Sequence, residues 1–184
     1  MPTDHPESQT RTREIAEVIP ARPTIEGAGV HLRRAFGAAE VPRLDPFLLL
    51  DDFRSENPAD YIAGFPWHPH RGIETVTYML DGRVEHEDSI GNKGIIGQGD
   101  VQWMTSGSGI VHQEMPKVDA RRMGGFQLWV NLPKKDKMMD PRYQEVKSGK
   151  IPDVEPVRGV RMRVVAGEVA GVRGPVRDIG VDPE

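Results

Sequence analysis

The sequence predicts an all-β fold, a barrel or a sandwich, and three observations carry that expectation. Twenty glycines and sixteen prolines in 184 residues are dispersed as punctuation, which favours many turns over long helices. Stretches rich in Val, Ile, Thr and Tyr alternate apolar with polar side chains, the period-2 pattern of half-buried strands. Turn signals return about every eight to twelve residues, the spacing of barrels and sandwiches.

Taken in order, residues 1 to about 12 are polar and charged and read as a disordered tail, with His5 solvated. Val30-His31-Leu32-Arg33 alternates and reads as a strand with His31 on its outer face. Asp45 to Phe53 is a short apolar run between turn-formers and acids, a buried strand. Asp51 and Asp52 are neighbours, so a strand sends them to opposite faces, and a structural or capping role is the expectation for both. From Arg71 to Leu80 strand formers dominate; an unbroken register would send His68, His70, Glu74, Val76, Tyr78 and Leu80 one way. Asp81-Gly82 is a hairpin-type turn signal, with Arg83 to Ile90 as the return strand and Gly91 to Gly94 as another turn. Further strands are expected at Val101–Met104, Ile110–Met115 and Phe126–Asn131, with a glycine-rich loop from Ser106 to Gly109. Leu132 to Gln144 is charged and contains two prolines, and reads as a linker or short surface helix. Val160 to Val164 alternates as a half-exposed strand.

Composition bounds the function. Charged residues make up 28% with a net charge of -4 and both signs mixed, so nothing suggests a nucleic-acid partner, which calls for a concentrated basic patch. With no cysteine, disulfides and thiolate metal sites are excluded and a cytoplasmic location is expected. No signal-peptide h-region and no transmembrane-length run is seen, so a soluble protein without membrane contact is expected.

The chemistry concentrates between Gly64 and Pro116. His68-Pro69-His70 opens this stretch and His112-Gln113-Glu114 closes it. Each pair is spaced i, i+2, so in extended backbone both members share one face. Two such strands brought side by side converge three imidazoles and a carboxylate, a donor set for a divalent first-row metal: Fe(II), Mn, Co, Ni, Cu or Zn. Four protein ligands leave positions open for substrate or O₂. Glu74 follows His70 at the spacing of the general cupin motif, His-x-His-x3-Glu. Parity leaves both Glu74 and Glu114 open as the carboxylate. His86, followed by Glu87 and Asp88, is a rival ligand candidate, but those neighbours are not i, i+2 to one another, and His86 alone on a return strand reads as a hydrogen-bonded or solvated side chain.

These strings resemble the pirin family of the cupin superfamily. The resemblance rests on Asp45 to Phe53, His68 to Val76, His86-Glu87-Asp88, Gly99 to Thr105 and Gly109 to Pro116. Gln127 to Leu132 and Tyr143-Gln144-Glu145 extend it, so that it covers nearly everything after about residue 25. It implies an all-β double-stranded β-helix, the cupin barrel or jelly roll, over residues 13–132. A linker at 133–145 and an incomplete second barrel at 146–184 would follow. It also implies one metal, most often iron, on His68, His70, His112 and Glu114, which decides against Glu74. The implied activity is that of a quercetin 2,3-dioxygenase. It acts on a small aromatic, flavonol-like substrate with O₂, and Glu114 serves as catalytic base. The family's other role, transcriptional co-regulation, implies instead a metal- or redox-responsive protein with a regulatory protein partner.

Overall fold

The computed structural model describes residues 14–117 and 122–179; the tail expected over residues 1–12 lies outside them. Eleven strands build the main body: β1 (Arg22–Glu26), β2 (Val30–Phe36), β3 (Phe47–Asp52), β4 (Phe65–His70), β5 (Ile73–Asp81), β6 (Val84–Asp88), β7 (Lys93–Ile96), β8 (Val101–Thr105), β9 (Ile110–Pro116), β10 (Gly124–Asn131) and β11 (Arg142–Val146). They form a seven-stranded sheet, β1-β2-β3-β10-β5-β8-β11, and a four-stranded sheet, β4-β9-β6-β7. Every pairing is antiparallel. The two inner faces pack together as the double-stranded β-helix of the cupins, and the only α-helix among the described residues is one turn, Val41–Leu44.

The chain alternates between sheets at two glycine corners, and both correct the sequence reading. Gly72 separates β4 from β5 at φ +67, a left-handed conformation that glycine adopts without steric cost. Its N–H donates to the Gly107 carbonyl at 2.8 Å, and its own carbonyl accepts from the Leu132 N–H at 3.2 Å. The register expected to run unbroken from His68 to Leu80 therefore breaks here, and β5 enters the other sheet. On β5, Thr75, Thr77 and Met79 point toward the small sheet, whereas Glu74, Val76 and Tyr78 take the opposite face. Gly82, at φ +75, makes the second corner. The Asp81-Gly82 signal marks a real turn but not a hairpin, because β6 pairs with β7 and β9 and never with β5.

One apolar cluster fills the space between the sheets at one end: Leu32, Phe53, Tyr61, Met79, Val84, Ile96 and Met123. Each such large side chain contributes about 1.5–3 kcal/mol by leaving water. A second cluster, Val101, Trp103, Val146, Ile151 and Val176 with Val76 and Tyr78 packed against it, covers the outer face of the large sheet. The last residues of the expected linker, 142–145, together with Val146 form β11, which pairs with β8 from Arg142↔Thr105 to Val146↔Val101. Beyond them two small hairpins follow, β12 (Asp153–Val157) with β13 (Val160–Arg163) and β14 (Glu168–Val169) with β15 (Val172–Arg173). No described helix is long and apolar enough to cross a membrane.

Candidate metal centre

The two i, i+2 pairs meet because β4 and β9 are antiparallel neighbours, with His68 directly opposite His112. A β-bulge between Phe65 and His68 adds a residue to β4, a device that re-aims side chains. Within that bulge His68 Nδ1 donates to the Pro66 carbonyl at 2.8 Å, which leaves Nε2 as the free lone pair. The ring centroids lie 4.8 Å (His68–His70), 4.4 Å (His68–His112) and 5.0 Å (His70–His112) apart. One nitrogen from each of these three histidines lies within 4.8 Å of the others.

Glu114 is buried on the same face of β9 as His112. Its carboxylate is not among the three clustered ligand atoms, and both its oxygens accept hydrogen bonds. Oε2 accepts from Gln127 Nε2 at 3.1 Å and Oε1 from Thr77 Oγ1 at 3.4 Å. Gln127 Oε1 in turn accepts from Trp129 Nε1 at 3.1 Å, and the Trp129 ring meets the His70 ring edge-on at 4.9 Å. Strand β10 thus holds both the carboxylate and one imidazole in place. Glu74 sits on the far face of β5, fully buried, where it accepts from Thr105 Oγ1 at 2.6 Å.

The remaining sequence candidates sort cleanly. His31 is exposed and pairs with Asp60 at 3.6 Å. Asp51 and Asp52 do take opposite faces: Asp51 accepts both Nε and Nη2 of Arg34, at 2.8 and 2.7 Å, and Asp52 pairs with Arg54. His86 is buried and hydrogen-bonded to Asp88 and Gln102. Sequence reasoning missed Thr77, Gln127, Trp129 and Arg34 as parts of the site. Strand parity of Gln127-Leu128-Trp129 was the available signal, since it puts Gln127 and Trp129 on one face.

Electrostatics favour neutral imidazoles. Burial, then the neighbouring His112 and His68, push His70 from 6.5 down to about 4, against an opposing pull from Glu114. Burial, then His68 and His86, push His112 down to about 3. Neutral imidazole is the form that ligates metal. The same shifts fix a stability dependence. Below pH 6.5 protons bind these two side chains in the unfolded chain first, while the folded chain resists them until about pH 4 and pH 3. The metal-free protein is therefore expected to lose stability as pH falls from 7.5 to 5. Urea unfolding at the two pH values checks this; equal midpoints would contradict it.

The donor set fits a metal on an observation of its own: the buried Nε2 of His112 has no hydrogen-bond partner among the described residues. A buried unpaired nitrogen is costly, and a cation shared with His68 and His70 would satisfy it. Beside His68 and His70 opens a cavity of about 610 Å³, walled by Leu32, Leu49, Phe53, Phe65, Trp67 and Trp129 and lined also by Thr77, Glu114 and Gln127. That volume lies in the range of small-molecule sites.

Comparison with known proteins agrees. The pirin family model matches residues 29–130. A pirin-like protein of Caulobacter vibrioides is 49% identical over 92% of this chain and 62% of its own length. The crystal structure of quercetin 2,3-dioxygenase from Acinetobacter baumannii superposes with a TM-score of 0.77 at 36% identity, covering 88% of this chain and 59% of that one. A bacterial pirin from Escherichia coli in complex with nickel(II) superposes at 0.55 with 27% identity, over 72% of this chain and 57% of that one. The chain spans about half to 62% of the length of the curated relatives it matches. With that family match over more than half its length, and a cupin barrel presenting three clustered imidazoles, the chain belongs to the pirin family.

Proposed function

We propose that this chain carries the metal centre of a flavonol-type 2,3-dioxygenase, with His68, His70, His112 and Glu114 as ligands and iron as the working metal. The unpartnered Nε2 of His112, clustered with His68 and His70 that line an aromatic-walled cavity, carries this reading. The quercetin 2,3-dioxygenase of Acinetobacter baumannii supports the reaction class, and the nickel-bound Escherichia coli pirin supports a first-row divalent metal.

The cavity's charges favour a phenol over a carboxylic acid. Arg34 is the only Arg or Lys among its lining residues, and Asp51 holds it bidentate while Glu26 lies 3.0 Å from the same guanidinium. A substrate carboxylate would find no free Arg or Lys among the described lining residues, whereas the aromatic side chains of Trp67, Trp129 and Phe65 suit a flat phenolic ring system. When bound, the metal supplies Lewis acidity that lowers the pKa of a coordinated hydroxyl. Glu114 lines the cavity and takes that proton on a carboxylate oxygen, and Gln127 and Thr77 orient it there. Trp129 holds the His70 ring edge-on. The overall reaction consumes O₂ and releases carbon monoxide from the flavonol.

Iron-loaded protein is expected to deplete a flavonol such as quercetin only in the presence of O₂, with carbon monoxide released. Absorbance at the flavonol band, followed with and without O₂, measures this. Turnover no faster than that of free iron would overturn the proposal.

A further inference from the structure

Behind His112, on the side away from the cavity, lies a buried polar chain that the proposed reaction does not use. It starts at Asp88, whose carboxylate accepts from the backbone N–H groups of Ile90 at 3.0 Å and Asn92 at 2.9 Å, and from Asn92 Nδ2 at 2.8 Å. Its Oδ2 also faces His86 Nε2 at 3.2 Å. Burial opposes the charge of Asp88, yet the hydrogen bonds from Asn92, His86 and Ile90 hold its pKa below the ordinary carboxylate range. The Asp88 carboxylate already accepts from three N–H groups, so the ring nitrogen that faces it, Nε2 of neutral His86, carries the proton between them. Its Nδ1 then carries a lone pair, which accepts from the buried Gln102 Nε2 at 2.7 Å. The same Nδ1 lies 3.5 Å from His112 Nδ1, the long limit of a hydrogen bond. Two lone pairs cannot face one another favourably, so His112 carries its proton on Nδ1. Its Nε2 is left bare, and that is the buried atom without a partner. Tyr143 stacks on His86 at 4.6 Å and 19°, which fixes the plane of the ring.

We propose that Asp88, His86 and Gln102 form a positioning relay that sets the tautomer of His112 and so presents its Nε2 lone pair to the metal. His68 reaches the same state by a local route, through the Pro66 carbonyl in the β4 bulge. Among the described residues no backbone carbonyl takes that role for His112, which faces His86 of strand β6 instead. The inference rests on the metal reading of the three-histidine site and adds to it the residues that orient its most buried ligand. Loss of a partner behind a ligating imidazole typically weakens metal binding 10–100-fold.

Long-range ¹H–¹⁵N correlation spectra of the metal-free chain report each histidine tautomer directly. The expected result is Nε2–H for His86 and Nδ1–H for His112; the opposite tautomer at His112 overturns the proposal without any variant. Asp88→Asn can present an amide donor where the carboxylate accepted. His86 is then expected to move its proton to Nδ1, where Gln102 Oε1, which has no partner, can accept it once the amide turns. His112 should leave the Nδ1–H state, and Ni(II) affinity, measured by competition with a chromophoric chelator, should fall about 10–100-fold. Because Asp88 also caps the Ile90–Asn92 turn, His86→Phe serves as the second variant; it retains the stack on Tyr143 while deleting both nitrogens, and the same loss is expected. Wild-type protein that binds Ni(II), with either folded variant within twofold of it, overturns the relay alone. Wild-type protein that binds no Ni(II) overturns the metal centre and the relay together.

Discussion

His112→Ala is expected to abolish tight metal binding, lowering affinity by about 100-fold or more, beyond what loss of a mere orienting partner costs. His112 stands opposite His68 in the β4–β9 register and is the most buried of the three imidazoles. Without it two partly exposed histidines remain, on one strand. The consequence for stability follows by linkage. Metal at a hundred times its dissociation constant stabilises the wild-type fold by about 2.7 kcal/mol, and the variant should gain almost none of this. Thermal unfolding with and without Ni(II) reads the difference. Equal metal-induced rises in the two proteins would show that the ion sits elsewhere.

Glu114→Gln is expected to lower flavonol turnover about 10²- to 10⁴-fold, the usual worth of a positioned general base. The substitution preserves the shape of the side chain. It also preserves an acceptor for Gln127, provided the new amide turns its oxygen toward Gln127 Nε2. Metal binding should therefore suffer less than in His112→Ala, since all three imidazoles persist. Steady-state kinetics alongside metal analysis separate the two effects. Turnover within tenfold of wild type in metal-loaded Glu114→Gln would remove Glu114 from the proton transfer.

Much of the site was legible before any coordinates. His68-Pro69-His70 and His112-Gln113-Glu114 announce themselves by a spacing that only extended backbone turns into a shared face, and β4 and β9 do pair. The limits of that reading are equally physical. Period-2 parity assumes a continuous strand, and Gly72 breaks it, so Glu74 shares a sequence spacing with the histidines without sharing their face. Gly82 could be read as a turn from its neighbours, but a turn residue does not say whether the chain folds back on its own strand or crosses to another sheet. The support of Glu114 by Gln127, and of His112 by His86, depends on which strands lie opposite one another. Those contacts are fixed by the packing of whole sheets, and no local spacing encodes them. The end of the expected linker was hidden for a related reason: its last residues enter β11, whose partner β8 lies far away in sequence.

The account stands on one metal ion held by His68, His70 and His112. Elemental analysis of protein purified without a metal-affinity tag, repeated after exposure to Ni(II) and removal of excess, tests this most directly. The expected result is close to one ion per chain in the wild type and little in His112→Ala. Occupancy below about a tenth in wild-type protein after metal exposure, or equal occupancy in the variant, would contradict it.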